Sequence, residues 1–348
     1  MKVIFTGGGT AGHAMVNSIL IPYIQKKGME ASYVGSINGI EKQMIEKLDQ
    51  VTYFPIKSGK LRRYFSLKNV TDLFNIIFGF FQVYFLLKKE KADLVYSSGG
   101  YVSVPVVWAA YFRRIPVVIR ETDYSIGLAN KLCIPFASEL FLTFPETDTS
   151  IYEIPCHYDG MIIRPELFEK EENEEAISKV KPVCLVLGGS QGAEQINKLI
   201  WKNLEQLTKE YTVIHATGKG KKREQIKNTS CYQQIEFIDD MRYYYNQADI
   251  VMTRSGSNVV SECLLLGKKM ICIPLTVSQS RGEQMLNALF AKKNGNAIIL
   301  ENSNIQQDEL LNALLELQEQ KVNSSYLINK EEVLRRIENQ ATFIKNKH

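Results

Sequence analysis

Two glycine-rich clusters each stand between a predicted strand and a predicted helix. GGGTAGH at Gly7–His13 follows the strand Val3–Thr6, and GGSQGA at Gly188–Ala193 follows the strand Val183–Leu187. Backbone N–H groups and a helix N-terminus meet at such a turn, and together they can bind phosphate. Neither cluster has the GxGxxG spacing and the sequence has no Walker A motif, so NAD and ATP phosphate sites are not expected. A glycine turn taken alone fits plain strand–helix packing as well.

His13 directly follows the first cluster and is predicted to lie in the first turn of the next helix. A helix N-terminus disfavours the imidazolium form, which leaves a neutral imidazole available as a general base near neutral pH. The other histidines, His157, His215 and His348, give no metal-ligand spacing. We therefore expect chemistry without a metal or any other cofactor.

A second turn whose residues could bind a ligand is Arg254–Asn258, which is followed by Glu262 on the next predicted helix. Successive backbone donors in this turn suit a diphosphate, and the carboxylate of Glu262 suits sugar hydroxyls. The alternative is an ordinary Ser-rich helix cap with a solvated glutamate. The residues alone leave the two interpretations about equal.

Two carboxylates follow the predicted strand Val117–Ile119 in the sequence Arg120-Glu121-Thr122-Asp123. The carboxyl end of a strand is where open α/β sheets place their ligands. Glu121 and Asp123 are therefore candidates to accept a hydroxyl proton or to bind sugar. A charged turn with no chemical role is the alternative.

An apolar run at Leu73–Leu87, rich in phenylalanine, has basic residues on both sides. Its fifteen residues are fewer than the roughly 20 needed to span a bilayer. A basic-flanked aromatic helix suits the surface of an anionic membrane, although a core helix is the alternative. The candidate membrane residues are Arg62, Arg63, Phe78, Phe80 and Phe81.

Strand-like and helix-like segments alternate along the chain, which predicts parallel sheets with helical crossovers. Strand, glycine turn and helix, then strand, Ser-Gly turn and helix, occur in this order in both halves. The 348 residues therefore favour two Rossmann-like domains. We assign residues 1–160 to the first domain and residues 161–328 to the second. Residues 329–348 form a final helix that can return to the first domain.

Composition narrows the class of protein further. Apolar residues make up 45% and charged residues 23%, as in ordinary globular proteins. The six cysteines contain no CxxC pair, which favours reduced thiols in a cytosol. A net charge of +4 is too small to indicate nucleic acid as a partner. The N-terminus shows no signal-peptide pattern.

Taken jointly, the motifs resemble the MurG family of peripheral membrane glycosyltransferases. The resemblance runs through FTGGGTAGH, SGKLRRYFS, SSGGYVSVP, GLANK, LGGSQGA, TGKGK, EFIDDM, RSGSNVVSE and QSRGEQMLNA. It implies a GT-B fold with two Rossmann-like domains facing across a cleft. It further implies transfer of N-acetylglucosamine from UDP-N-acetylglucosamine to undecaprenyl-linked lipid I at the cytoplasmic side of the cell membrane. The implied process is peptidoglycan synthesis, with cell-wall and division proteins as partners.

The resemblance also implies roles for individual residues. The implied donor contacts are Arg164, Ser190, the Ile238 backbone for uracil, Ser257, Asn258 and Val259 for the diphosphate, Glu262 for ribose, and Gln284 for the transferred sugar. On the acceptor side, Thr10, Ala11 and Gly12 are implied to line the cleft. The family commonly has histidine where this chain has Arg120, so a cation replaces an imidazole there.

The mechanism expected from these roles is a direct displacement that inverts the anomeric carbon. The 4-hydroxyl of the muramoyl residue attacks, UDP leaves, and His13 is the candidate base, with Glu121 or Asp123 as alternatives. Three competing functions remain at this point. They are transfer to another lipid such as diacylglycerol, 2-epimerisation of UDP-N-acetylglucosamine, and non-catalytic nucleotide-sugar binding.

Overall fold

The computed structural model describes residues 1–59, 67–170, 177, 180–189, 191–275, 282–301 and 305–347, with only the backbone described for residues 67–70. The chain forms two compact units. One consists of Met1–Ile162 with Glu331–His348, and the other of Ile163–Lys330. Each unit contains one parallel sheet connected through helices, as the alternating pattern predicted.

The first unit has a seven-stranded sheet in the order β3-β2-β1-β4-β5-β6-β7. Its strands are β1 (Lys2–Thr6), β2 (Glu30–Ser36), β3 (Thr52–Ile56), β4 (Leu94–Ser97), β5 (Val117–Glu121), β6 (Glu139–Leu142) and β7 (Cys156–Tyr158). The strand order reverses between β1 and β4. Loops that follow these two strands diverge to opposite faces of the sheet and leave a crevice, where such folds bind ligands.

Helices of the first unit bury apolar side chains against this sheet. They are α1 (Ala11–Lys26), α2 (Ile40–Ile45), α3 (Leu67–Glu90), α4 (Ser103–Phe112), α5 (Leu128–Cys133) and the last helix of the chain, α12 (Lys330–Asn346). From α3, Ile76, Val83 and Leu87 enter the core beside the strand residues Val95 and Ile119. These three positions recur at helical spacing, so α3 has one inward face.

The last helix packs on the first unit through Val333, Ile337, Ala341 and Ile344, which are all buried. Because these positions are three or four residues apart, they form one apolar face of the helix. At the carboxyl-terminal end, the Phe343 ring lies edge-on to Phe141 of β6, with 4.9 Å between ring centroids.

Arg120 of β5 connects the same helix to the end of the first unit's sheet. Its guanidinium is fully buried, and it donates to Asp159 Oδ2 at 2.7 Å, to the Gly160 carbonyl at 2.6 Å and to Gln340 Oε1 at 3.2 Å. Gln340 of α12 donates in turn to the Tyr96 hydroxyl at 2.9 Å. This buried network fixes α12 to β4, β5 and the segment after β7.

The second unit has a six-stranded sheet in the order β10-β9-β8-β11-β12-β13. Its strands are β8 (Val183–Leu187), β9 (Thr212–Ala216), β10 (Tyr232–Ile235), β11 (Ile250–Thr253), β12 (Lys269–Cys272) and β13 (Ala297–Ile299). Its helices are α6 (Glu194–Lys202), α7 (Leu204–Glu210), α8 (Met241–Gln247), α9 (Ser257–Leu265), α10 (Glu283–Lys293) and α11 (Gln307–Glu319). The strand order reverses between β8 and β11, so a second crevice is expected after these strands.

The structure confirms the predicted duplication, since the first six strands of each unit have the same spatial order. Every predicted strand is present. The sequence did not reveal β3, β6, β7, β10 and β13, four of which lie at sheet edges. Edge strands such as β7 (Cys-His-Tyr) and β10 (Tyr-Gln-Gln-Ile) lack a continuous apolar run because they are less buried.

Candidate active site

The first glycine cluster lies at the crevice of the first unit and is held against the loop that follows β4. The Gly8 amide donates to the Gly99 carbonyl at 3.2 Å. Gly100 has a φ of +85°, and a Cβ there would lie 1.8 Å from the Gly8 carbonyl oxygen. A side chain at Gly100 is therefore excluded, because the two loops touch through their backbones.

His13 is the third residue of α1, as the sequence predicted. Its Nδ1 lies 3.0 Å from the Ser98 carbonyl oxygen. A carbonyl oxygen can only accept, so Nδ1 carries the proton in the neutral ring and Nε2 is the basic nitrogen. His13 is half-buried, and the preceding helix positions include exposed Thr10 and partly exposed Ala11 and Gly12. The site therefore contains an imidazole of defined tautomer in the first turn of α1.

Glu121 and Arg120 are the last two residues of β5 rather than part of the following turn, which corrects the predicted end of this strand at Ile119. Successive strand side chains point to opposite faces. Arg120 accordingly enters the network with Asp159 and Gln340, which places its charge in the interior of the unit.

The Glu121 carboxylate is buried and accepts four hydrogen bonds from the segment that follows β5. Its Oε1 accepts from the amides of Thr122 and Asp123 at 2.9 and 3.0 Å, and its Oε2 accepts from the Gly127 amide and Asn130 Nδ2, both at 2.9 Å. Burial raises the pKa of Glu121 to about 7, helped by the negative charge of Asp123 and opposed by these hydrogen bonds. The contacts make Glu121 the support of this turn, whereas Asp123 remains half-buried.

In the second unit, the turn between β11 and α9 has the form that binds anions. Ser255 adopts a φ of +61°, which is uncommon for a residue with a side chain, and Asn287 Nδ2 donates to its carbonyl at 3.1 Å. Gly256 is the helix N-cap and has no side chain with which to cap the first turn of α9, formed by Ser257, Asn258 and Val259. Backbone donors at a helix N-terminus favour a negatively charged ligand.

Glu262 lies further along α9 and is only 4% exposed. Arg164 donates from Nη2 to Glu262 Oε1 at 3.0 Å, and the hydroxyl of Tyr245 in α8 donates to Oε2 at 2.8 Å. Burial, together with the charge of Glu262, raises the pKa of Tyr245 well above its ordinary value, so the phenol remains a donor. Two predicted donor-binding residues, Arg164 and Glu262, are therefore in direct contact.

The structure gives fewer contacts for the other residues that were predicted to bind the sugar donor. Ile238 is buried in the loop that follows β10. Gln284 is the second residue of α10, and its Oε1 accepts from the Leu275 amide at 2.9 Å. Ser190 lies outside the described residues. Two positions further along the chain, Gly192 has a φ of +68°, and a Cβ there would lie 2.1 Å from the Thr217 carbonyl oxygen, so this position requires glycine.

The predicted membrane helix is longer than the sequence suggested, and it has two different faces. It runs over 24 residues, and within it Thr71–Glu90 is long and apolar enough to cross a membrane by length and composition only. Since Ile76, Val83 and Leu87 are part of the core, the core interpretation is right for one face of the helix, and the membrane-surface interpretation stays a prediction for the exposed face. The exposed side chains at helical spacing are Phe74, Ile77, Phe78, Phe81 and Phe85.

We call this set of five side chains the α3 stripe. The exposed rings of Tyr111 and Phe112 in α4 add to the apolar surface. Phe80 is not part of the stripe, because it is partly buried and packs against the core; its ring also lies edge-on to Phe112 with 5.8 Å between ring centroids. The Lys57 ammonium lies 4.6 Å from the centroid of the Phe78 ring. Arg62 and Arg63 lie outside the described residues.

Some relevant contacts had no signal in the sequence. Tyr245 stands in a run of three tyrosines, Tyr243–Tyr245, and only the fold distinguishes the buried one. Nothing in the sequence indicated that Asn130 of the GLANK motif donates a hydrogen bond to the Glu121 carboxylate. Among the residues that the structure describes, no group of three or more His, Cys, Asp or Glu side chains is arranged to hold a metal ion.

Comparison with known proteins places these features in context. Residues 3–142 match the glycosyltransferase family 28 N-terminal domain, and residues 183–341 match its C-terminal domain. A protein of Oceanobacillus iheyensis is 45% identical, covering 91% of this chain and 90% of its own. One of Geobacillus kaustophilus is 42% identical, covering 92% and 91%. Both are named UDP-N-acetylglucosamine–N-acetylmuramyl-(pentapeptide) pyrophosphoryl-undecaprenol N-acetylglucosamine transferase.

Solved structures confirm the predicted GT-B fold. The crystal structure of Acinetobacter baumannii MurG matches with a TM-score of 0.70 and 21% identity, covering 99% of both chains. A UDP-GlcNAc 2-epimerase from Methanocaldococcus jannaschii matches with a TM-score of 0.62 and 15% identity, covering 99% of this chain and 100% of that one. At these identities the structural likeness establishes the fold, which transferases and an epimerase share.

Proposed function

The chain belongs to the MurG family within glycosyltransferase family 28, and on that premise we propose that it makes lipid II. It transfers N-acetylglucosamine from UDP-N-acetylglucosamine to the 4-hydroxyl of the muramoyl residue of undecaprenyl-linked lipid I. The observation that carries this proposal is the 45% identity, over nine-tenths of both chains, to a relative with that name. The product is a precursor of peptidoglycan, so the activity serves cell-wall synthesis.

The second unit binds the donor in this proposal. The diphosphate of the donor lies at the N-terminus of α9, at Ser257, Asn258 and Val259, where the helix dipole favours negative charge. The ribose hydroxyls bind Glu262. The remaining donor contacts are the Ile238 backbone for uracil, Gln284 for the transferred sugar, and Ser190.

The first unit binds the acceptor, with Thr10, Ala11 and Gly12 next to it and His13 as the general base. His13 Nε2 takes the proton of the 4-hydroxyl while the hydroxyl oxygen bonds to the anomeric carbon of the donor. The bond between that carbon and the diphosphate oxygen breaks, and UDP leaves with the electron pair from the opposite face. The α-linked donor therefore gives a β-linked product.

Of the three candidate bases, His13 fits best. Hydrogen bonding to the Ser98 carbonyl fixes its tautomer and leaves Nε2 as the proton acceptor. Both oxygens of Glu121 are already used by four donors, so Glu121 positions the turn that carries Asp123. The leaving diphosphate gains stabilisation from the α9 N-terminus and from the Arg164 guanidinium, without a metal ion or other cofactor.

The α3 stripe supports peripheral association with the membrane that contains the acceptor. Exposed apolar rings in one row, beside the exposed cations Lys57, Lys88 and Lys89, fit an interface with anionic headgroups. We assign the protein to the cytoplasmic side of the cell membrane, where UDP-sugars are made. Proteins of cell-wall synthesis and division are the partners that this location implies.

A direct acceptor comparison tests the proposed function. The purified protein is incubated with labelled UDP-N-acetylglucosamine and vesicles that contain lipid I or diacylglycerol, with and without EDTA. We expect lipid I to drive UDP release and label transfer in both conditions, with no transfer to diacylglycerol. Transfer to diacylglycerol alone identifies another lipid glycosyltransferase, formation of a free 2-epimer identifies an epimerase, and loss of activity in EDTA contradicts the metal-free mechanism.

A further inference from the structure

We propose that Tyr245 is a positioning residue for donor selection, because its hydroxyl holds the Glu262 carboxylate in the orientation that receives the ribose of the donor. This inference rests on the proposed function, in which Glu262 binds the ribose hydroxyls. It adds a residue in α8 to a donor site otherwise formed by loops and by α9 and α10.

The contact is a short, buried hydrogen bond between two helices. The Tyr245 hydroxyl lies 2.8 Å from Glu262 Oε2, and Tyr245 is completely buried while Glu262 is 4% exposed. A buried carboxylate needs such donors, because an unpaired charge in the interior is costly. Arg164 donates to the other oxygen, Oε1, at 3.0 Å. One donor on each oxygen fixes the plane of the carboxylate.

The same arrangement leaves capacity for a ligand. An ionised carboxylate has about four lone-pair sites on its two oxygens. Among the described residues, Tyr245 and Arg164 occupy one site on each oxygen, so one site on each oxygen remains within this part of the chain. The two neighbouring hydroxyls of a ribose supply two donors, so they match the two remaining sites. A 2′-deoxyribose supplies one donor fewer and leaves an oxygen partly unsatisfied.

Tyrosine suits this task better than a charged donor. Since its phenol stays protonated at this buried position, it donates without neutralising Glu262. Tyr245 therefore adds a second donor to the carboxylate beside the Arg164 guanidinium without adding a second positive charge. Arg164 is partly exposed and long, whereas Tyr245 is fixed on a helix within the core. Of the two donors to Glu262, Tyr245 is thus the more rigidly held.

The test compares Tyr245→Phe with Tyr244→Phe, a matched control that removes a hydroxyl from the neighbouring residue. Steady-state transfer to lipid I is measured with UDP-N-acetylglucosamine and with its 2′-deoxyuridine analogue. A misoriented Glu262 loses a hydrogen bond to the ribose, and a hydrogen bond to a charged group is worth about 1.5–3 kcal/mol, so the donor KM should rise about 10- to 150-fold in Tyr245→Phe. We expect kcat and the KM for lipid I to stay within about twofold, and preference for the ribose donor to fall.

Tyr244→Phe should leave the donor KM, kcat, the KM for lipid I and the preference for the ribose donor unchanged. Two further variants keep the experiment decisive. Glu262→Asp withdraws the carboxylate from the Tyr245 hydroxyl by one methylene and should lower the ribose preference in the same way, even if Tyr245→Phe does not fold. Glu262→Gln tests the premise directly, because it removes an acceptor oxygen.

The outcomes separate the inference from the proposed function. If Tyr245→Phe or Glu262→Asp keeps the wild-type ribose preference while Glu262→Gln loses it, Tyr245 does not position Glu262 and the inference is wrong. If Glu262→Gln also keeps the preference, Glu262 does not bind ribose and the inference fails with its premise. Absence of transfer by the wild-type protein refutes the proposed function itself.

Discussion

Loss of the Arg120 guanidinium is expected to destabilise the first unit more than loss of any exposed charge. In Arg120→Met, Asp159 loses a 2.7 Å ion pair, and the Gly160 carbonyl and Gln340 Oε1 lose their donors. Removing one partner of a buried ion pair typically costs about 3–5 kcal/mol. We expect a loss in this range, because Arg120 is fully buried and the side chain of Asp159 is only 15% exposed.

The two tryptophans allow this loss to be assigned to one unit. Trp108 lies in α4 of the first unit, and Trp201 lies in α6 of the second. Urea unfolding followed by Trp108 fluorescence in a Trp201→Phe background reports the first unit, and the reverse background reports the second. The Arg120→Met effect should appear in the Trp108 transition and leave the Trp201 transition unchanged.

Two controls test whether the loss of stability comes from the buried network of Arg120. Glu46→Gln breaks a partly exposed pair with Lys42 in the same unit and should cost no more than about 1 kcal/mol. Adding Asp159→Leu to Arg120→Met removes the orphaned carboxylate and should recover part of the stability. An Arg120→Met loss as small as that of Glu46→Gln would falsify the assignment of Arg120 to a buried structural network.

Further predictions concern the base, the turn after β5 and the membrane surface. His13→Ala should lower kcat by about 10²–10⁴-fold without weakening UDP binding measured by calorimetry, and full activity would exclude His13 as the base. Because the folded pKa of Glu121 is raised from 4.5 to about 7, its stabilising contribution is complete below pH 4.5 and is lost as pH rises through 7. Glu121→Gln should therefore flatten that part of the urea-measured stability–pH curve, and an unaltered curve contradicts the shift. Phe81→Ser with Phe85→Ser should reduce sedimentation with anionic vesicles, whereas Leu315→Ser, at an exposed leucine of the second unit, should not; equal reductions would refute a specific α3 stripe.

The sequence predicted the architecture well wherever strands are central and apolar. Val183–Leu187 was found with its bounds, since both sides of a central parallel strand are buried. The glycine clusters marked the turns correctly, because close backbone contacts such as Gly100 with Gly8 require glycine whatever the ligand. The family resemblance then added the reaction, which periodicity alone does not indicate.

The sequence did not predict contacts between residues that are far apart in the chain. Arg120 and Glu121 are neighbours in the chain, yet one enters a network with α12 and the other supports the turn after β5. Tyr245 and Glu262 are joined only by the packing of α8 and α9. Helical periodicity likewise did not decide between a core helix and a membrane helix for α3, because the helix has one buried face and one exposed apolar face.

The anomeric configuration of the lipid product tests the central claim most directly. The protein is supplied with α-linked UDP-N-acetylglucosamine and lipid I in vesicles, and the purified product is examined by mass spectrometry and NMR. We predict a lipid-linked disaccharide in which N-acetylglucosamine is β-linked to the 4-position of the muramoyl residue. An α-linked disaccharide would contradict the inverting displacement by the 4-hydroxyl, and unmodified lipid I would contradict the assignment of this chain as the transferase that makes lipid II.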